Sequence, residues 1–159
     1  MEKAALRKAI LDELESELRL LTDAANTARD EATNEESRAE DRFDMRSQSA
    51  AYLAAGQAKM AGESADAIVS FQNLPIRAFS SNDLIASGAL VTLEAAGRKT
   101  YYFVGPQRGG LEVEVDGKIV IVVTTASPLG HQLIGRRVGD EVTLPGRSKP
   151  VTHRVVSVE

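Results

Sequence analysis

The chain of 159 residues contains no cysteine and no tryptophan, and only two histidines. Without cysteine it has neither a disulfide nor a thiolate metal site, and two histidines alone make a weak case for zinc. No stretch approaches the roughly 18 consecutive apolar residues of a membrane span. The first residues also lack the basic head and apolar run of a secretory signal. We therefore expect a cytoplasmic protein without a membrane partner.

Charge is distributed unevenly along the chain. The whole carries a net charge of −4, with 26% charged and 43% hydrophobic residues, a composition typical of folded proteins. Residues 1–87 contain ten lysines and arginines against sixteen acids, whereas residues 88–159 contain nine against seven. An acidic front half is a poor surface for nucleic-acid phosphates, which require cations. It suits a partner that is basic or bears a metal ion.

Two long segments have the apolar period of helices that pack lengthwise on one another. The first helix is predicted from residue 2 to about 34, and the second over 45–73, ending at Pro75. The predicted contact rows are Leu11, Leu14, Leu18, Leu21, Ala25, Ala28 and Ala32 in the first, and Ala50, Leu53, Gln57, Met60, Ser64, Ala67, Phe71 and Leu74 in the second. Similar lengths favour an antiparallel hairpin in a monomer. A homodimeric coiled coil is the alternative.

An acidic segment joins these two helices. Residues 30–44 hold seven carboxylates against two arginines, and Glu36 and Glu40 are four residues apart, which places them on one face of a helix. Carboxylates are hard oxygen ligands suited to Mg²⁺. Glu36, Glu40 and Asp41 are therefore candidate metal ligands that a partner would complete, and a solvated charged turn is the alternative.

After Gly88 the pattern changes to the short, turn-bounded runs of a sheet. Asp116-Gly117 is a hairpin turn signal, and Ser127 with Pro128 begins a short helix that Gly135 caps. Strands are predicted over 89–94, 100–104, 111–115, 118–125, 141–144 and 153–158, with 118–125 buried on both faces. The expected fold class is α+β: a helical hairpin over 1–75, a linker over 76–87 and a small, mostly antiparallel sheet over 88–159.

No arrangement of catalytic residues typical of a hydrolase or a transferase is recognisable in the sequence. No Ser-His-Asp triad can be argued around His131 or His153. A lone histidine is more often structural than catalytic. A phosphate-cradling glycine loop of the usual spacing is also missing.

The sheet half closely resembles the C-terminal domain of bacterial Gre transcript-cleavage factors. The ordered set that carries the resemblance is Ser127, Pro128, Leu133, Ile134, Gly135, Gly139 and Asp140. The layout of helical hairpin, linker and small sheet is also that of the family.

The resemblance implies an accessory factor and not an enzyme. Its FKBP-like domain docks on RNA polymerase through the set just named, and its coiled coil enters the secondary channel. Acids at the tip then share a Mg²⁺ with the polymerase, with no cofactor of the protein's own, and the polymerase hydrolyses backtracked RNA. Contact with nucleic acid is indirect, through the transcription complex.

The acidic segment between the helices aligns with the tip motif of the family but is one residue shorter. Glu40 matches the family's tip Glu and Phe43 its Tyr, whereas Ser37 stands where the family has Asp, and Glu36 is the nearest acid. This departure leaves a channel-binding regulator as an alternative to cleavage stimulation. A scaffold without polymerase and, from the FKBP-like resemblance, a prolyl isomerase are further alternatives. The last needs an aromatic-lined pocket, for which the sheet half offers mainly residues 101–103.

Overall fold

The computed structural model describes residues 1–33, 45–146 and 148–159. Helix α1 spans Lys3–Thr33 and helix α2 spans Met45–Asn73. Six strands follow, namely β1 (Leu90–Ala95), β2 (Arg98–Gly105), β3 (Glu112–Val115), β4 (Lys118–Thr124), β5 (Glu141–Leu144) and β6 (Val151–Val158), with the short helix α3 (Pro128–Leu133) between β4 and β5. The predicted fold class is confirmed.

The chain divides into two compact units. A helical unit comprises residues 12–69, and a sheet unit comprises residues 1–11 together with 70–159. The ends of α1 and α2 nearest the sheet therefore belong to the sheet unit. None of the helices, over their described residues, contains the apolar window that spans a bilayer.

The two helices run antiparallel. In the helical unit the hydroxyl of Ser64 donates to a carboxylate oxygen of Glu17 at 3.0 Å. In the sheet unit the Arg7 guanidinium donates to the Leu74 carbonyl at 3.5 Å. The residue numbers of the contact partners on the α2 side thus decrease as those on α1 increase, which is the antiparallel arrangement that the hairpin prediction requires.

The contact row of α1 is close to the predicted one. Leu14 and Ala28 are buried, and Leu18, Leu21 and Ala25 are half-buried. Towards its beginning the helix buries Leu6 and Ile10 fully, whereas Leu11 is only half-buried. Residues 1–11 belong to the sheet unit, so further neighbours contribute to the buried face of α1 there.

The predicted row of α2 is wrong at two positions. Leu53 and Met60 are 54% and 49% exposed, whereas Ala54 and Ala61 are half-buried. In an alanine-rich helix, small side chains let the partner helix approach closely, so the alanine face packs and the larger residues stay outside.

The sheet has the strand order β3-β4-β2-β1-β6-β5. All neighbouring pairs are antiparallel except β2 and β4, which pair in parallel with Tyr102 opposite Ile121. The prediction of a mostly antiparallel sheet is confirmed. Two hairpins close through two-residue turns with positive φ at both positions, Ala96-Gly97 and Asp116-Gly117, as type I′ turns require. β2 therefore begins at Arg98, two residues before the predicted strand over 100–104.

The core of the sheet unit lies on the face covered by α3. The residues fully buried there include Leu133 of α3, Leu93 of β1, Val104 and Val155. Val123 is nearly fully buried. The segment predicted as a linker contributes Phe79 and Ile85 to this core. Ile85 is fixed by exchanging backbone hydrogen bonds with the turn after α3.

Part of the linker forms a local turn around a carboxylate. The Ser80 backbone N–H and hydroxyl both donate to Asp83, at 2.7 and 3.1 Å. These hydrogen bonds hold the pKa of the Asp83 carboxyl below its usual range. The linker thus contains a turn closed by the Asp83 carboxylate.

The opposite face of the sheet packs on the end of α2 within the sheet unit. Phe71 is fully buried, and a Cβ atom added at Gly105 of β2 would lie 2.9 Å from its ring. Glycine at this position leaves room for the ring to approach the sheet backbone.

The start of α1 is held in the sheet unit by a lysine. The Lys3 ammonium donates to the carbonyls of Arg77 and Gly88, and lies 4.7 Å from the Phe79 ring centre. Burial, and secondarily the Arg77 charge, lower the pKa of Lys3, while Glu159 opposes that shift.

Candidate functional site

An apolar groove of about 980 Å³ lies on the α3 side of the sheet. Its floor comes from the middle of the sheet, with Tyr102 of β2 beside Ile121 and Val123 of β4. Its walls are the start of α3 and the loop after β5 on one side and the loop before β3 on the other. The wall residues are Gly109, Gly110, Thr124, Ser127, Pro128, Leu129, Gln132, Thr143, Leu144, Pro145 and Pro150, and Val122 completes the lining.

Strand alternation explains why β4 provides the floor. Val120 and Val122 are buried on the face towards α2, whereas Ile121 is half-buried and Ile119 is 57% exposed on the other face. The prediction that this strand is buried on both faces is therefore wrong for its first half. β3 is an edge strand, and α3 covers the sheet face only near the end of β4.

Ser127 builds the wall at the start of α3. Its backbone is extended, with φ −74° and ψ 155°, and its hydroxyl accepts from the Gly130 N–H at 3.0 Å. The same hydroxyl donates to the Thr124 carbonyl at 2.8 Å, which joins the helix start to the end of β4. The predicted N-cap is confirmed, and Pro128 follows at the first helical position, exposed at the groove wall.

Gly130 is required where α3 passes over β4. A Cβ atom at this position would lie 1.8 Å from the Thr124 carbonyl oxygen. Because the clash is with backbone, no side-chain movement can relieve it. The close approach brings the first turn of α3 down to the sheet and so sets the width of the groove.

Gln132 closes the groove against the free edge of β5. Its side-chain amide donates to the Thr143 carbonyl and accepts from the Thr143 N–H, both at 2.9 Å. This pair of bonds imitates the backbone of a neighbouring strand and satisfies edge groups that would otherwise be open.

The remaining residues of the predicted docking set lie outside the groove lining. Leu133 is fully buried in the core, and Ile134, which caps the C-terminal end of α3, is 38% exposed. The predicted cap residue Gly135 follows one position later with φ +78°. A role of these residues in docking stays a prediction.

Gly139 and Asp140 shape the turn before β5. Gly139 adopts φ +94°, and its N–H donates to the Val155 carbonyl at 2.9 Å. The Asp140 carboxylate accepts from the Arg137 N–H at 3.1 Å, while its carbonyl accepts from Val155. Both residues therefore fix the turn to β6, and their contribution to docking likewise stays a prediction.

The predicted metal-binding acids Glu36, Glu40 and Asp41 fall outside the described residues. Within 1–33, 45–146 and 148–159, no three histidine, aspartate or glutamate side chains cluster as metal ligands would. His131 is exposed on α3, and His153 lies with Nδ1 3.1 Å from the Val151 carbonyl.

Most of the groove was not foreseen from the sequence. Only Ser127 and Pro128 of the predicted set line it, whereas Tyr102, Ile121 and Leu144 come from three strands far apart in the chain. β4 is apolar at every position from 119 to 123, so its sequence carried no signal for an open face.

A preformed apolar groove with a few fixed polar groups defines a binding module, here attached to a helical hairpin. The sequence family described as "Transcription elongation factor, GreA/GreB, C-term" matches residues 80–159. That match spans half of the chain and includes all six described strands and α3, so the chain belongs to the GreA/GreB family of transcription elongation factors.

Several solved structures are similar to this chain at low sequence identity. The GreA factor homolog 1 (Gfh1) of Thermus thermophilus is 22% identical, over 94% of this chain and 94% of that chain, with a TM-score of 0.40. Gfh1 of Thermus aquaticus is also 22% identical, over 100% of this chain and 96% of its own, with a TM-score of 0.40. A GreA/GreB elongation factor from Nitrosomonas europaea is 20% identical, over 65% and 78%, with a TM-score of 0.35. No curated protein matches the sequence.

Proposed function

We propose that this protein binds RNA polymerase through the groove of its sheet unit and stimulates hydrolytic cleavage of backtracked RNA. Membership of the elongation-factor family is the observation that carries the proposal. The groove supports it, because an apolar surface with preset walls is suited to take a segment of a protein partner. The protein would act as an accessory factor in the cytoplasm, and the catalytic scaffold would belong to the polymerase.

The acids between α1 and α2 would perform the protein's part of the chemistry. Glu36, Glu40 and Asp41 are carboxylates, the donor type that Mg²⁺ prefers. Mg²⁺ in the polymerase supplies the Lewis acidity for phosphodiester hydrolysis. Carboxylates delivered to that site would add oxygen ligands and an acceptor for the protons of the attacking water.

The first test is cleavage in a stalled, backtracked elongation complex with and without the protein, at low and high Mg²⁺. We expect the RNA to shorten from its 3′ end. Glu40→Gln should reduce this rate about tenfold or more, because a carboxylate that supports a metal site is lost. Polymerase affinity should remain within about twofold.

Glu13→Gln is the matched control, since Glu13 is exposed on α1 and its substitution removes the same charge. It should leave cleavage unchanged. If Glu40→Gln abolished binding as well as cleavage, the acids would be an anchor for the partner and not metal ligands.

A second candidate function is regulation by occupying the secondary channel without cleavage. It is favoured by Ser37, which stands where the Gre pattern has an aspartate. No cleavage combined with competition against a known channel-binding factor would support it. Absence of both cleavage and competition would contradict the polymerase partner and leave a coiled-coil scaffold.

A further inference from the structure

One edge of the groove carries a concentration of negative charge. Residues 88–159 contain nine lysines and arginines against seven acids, yet residues 112–116 hold three of those acids and no cation. Glu112 and Glu114 lie on β3, the strand at one end of the sheet, and both are exposed. The local charge is therefore opposite to that of the domain around it.

The strand register directs both carboxylates to the face that forms the groove. Glu112 lies opposite Ile121, which lines the groove floor, and Glu114 lies opposite the exposed Ile119. Directly opposed residues of an antiparallel pair project from the same face, with Cβ atoms about 5 Å apart. The apolar floor is thus bordered by two carboxylates along β3.

Neither carboxylate is engaged by the rest of the sheet unit. Among residues 1–33, 45–146 and 148–159, no hydrogen bond or ion pair involves the side chain of Glu112 or Glu114. The opposite border differs in sign, since Lys149 is exposed next to Pro150, a wall residue.

We infer that the groove receives a polymerase segment whose apolar anchors are flanked, on the β3 side, by lysine or arginine, and that Glu112 and Glu114 select this segment. The inference rests on the proposed function, because it assumes RNA polymerase as the partner. Exposed charges at the border of an interface act chiefly on the association rate and on the choice of partner. Apolar contacts on the groove floor supply most of the affinity.

The test measures binding of the full-length protein to core RNA polymerase at about 50 mM and about 500 mM salt. The variant Glu112→Gln/Glu114→Gln should raise Kd about fivefold at the lower salt, mainly through slower association. At the higher salt the difference should shrink below about twofold, since screening already weakens the wild-type attraction. The reversal Glu112→Lys/Glu114→Lys should give the larger loss and the same salt trend.

Glu94→Gln/Glu141→Gln provides a control with the same change in charge. Glu94 of β1 and Glu141 of β5 both lie opposite Arg154 of β6. Each is next in the chain to a core residue, Leu93 and Val142 respectively. They therefore project from the other face of the sheet. This variant should bind within about twofold of wild type at both salt concentrations.

Three results would overturn the inference or its premise. If the Glu112/Glu114 variants and the control bound polymerase equally well, Glu112 and Glu114 would not select the polymerase segment. A loss of equal size at both salt concentrations would also contradict it, because it would indicate altered packing and not electrostatics. Failure of the unaltered protein to bind polymerase would instead contradict the proposed function.

Discussion

The α2 part of the helical unit and the sheet unit differ in the side chains that they bury fully. Along α2 of the helical unit, Ala67 and Ser64 are fully buried, while Tyr52 is 80% exposed and Leu53 is 54% exposed. In the sheet unit the fully buried residues include Leu90, Leu93 and Leu133. Large apolar residues therefore fill the core of the sheet unit, whereas in α2 of the helical unit Ile68 is buried but Tyr52 and Leu53 lie outside.

Close packing of helices explains the difference. When small residues line one face, two helix backbones can approach, and the contact depends on fit more than on the area of each side chain. In the sheet unit such close approach occurs at single glycines, Gly105 and Gly130, and leucine, valine and phenylalanine fill the rest of the core. Substitutions of similar chemistry should consequently have different costs in the two units.

The largest expected effect is that of Phe71→Ala in the sheet unit. Phe71 is fully buried against Gly105, and removal of a buried ring leaves a cavity. The free energy of unfolding, measured by urea denaturation, should fall by about 3–5 kcal/mol. Val69→Ala, at a residue 54% exposed on the same helix, should change it by less than about 0.5 kcal/mol. Equal costs for the two would remove the contrast between core and surface.

An intermediate effect is expected for Ser64→Ala in the helical unit. Ser64 is fully buried, and its hydroxyl donates to Glu17. Loss of this bond should lower the free energy of unfolding by about 1–2 kcal/mol, because the carboxylate loses a buried partner. Ser49→Ala, at an exposed position of α2, should be neutral or slightly stabilising, since alanine has the higher helix propensity. A neutral Ser64→Ala would mean that packing alone holds the helices together.

The smallest effect is expected for Leu53→Ala. More than half of this leucine is exposed, so the change should cost less than about 0.5 kcal/mol. Leu14→Ala on α1 provides the comparison: Leu14 is fully buried, and its loss should cost about 2–5 kcal/mol in the same urea titration. A cost above about 2 kcal/mol for Leu53→Ala would restore the contact row predicted from the sequence.

Local patterns were sufficient for much of the fold. The helix over 45–73, the Asp116-Gly117 turn and the Ser127 cap each depend on residues within a few positions of one another, and the structure has them as predicted. The period-2 runs after residue 88 likewise became strands, with boundaries that moved by one or two residues. In these cases the backbone conformation is dictated by neighbours in the chain.

The candidate site was predicted only in part. Ser127 and Pro128 line the groove, whereas Tyr102 and Leu144 gained that role from strand pairing, which no local pattern encodes. Glu112 looked like an ordinary outward residue of an alternating strand. Its position beside the groove depends on the register that sets it opposite Ile121.

By itself, the sequence determined the element types, the hairpin of helices followed by a sheet, and the family. Periodicity, turn chemistry and the ordered set from Ser127 to Asp140 act over short distances and need no packing to be read. Only the tertiary structure decided which face of α2 packs, that β2 and β4 pair in parallel, and where an open apolar face remains. Those features depend on how segments far apart in the chain bury one another's surface, and that free energy is shared among residues that are not neighbours in sequence.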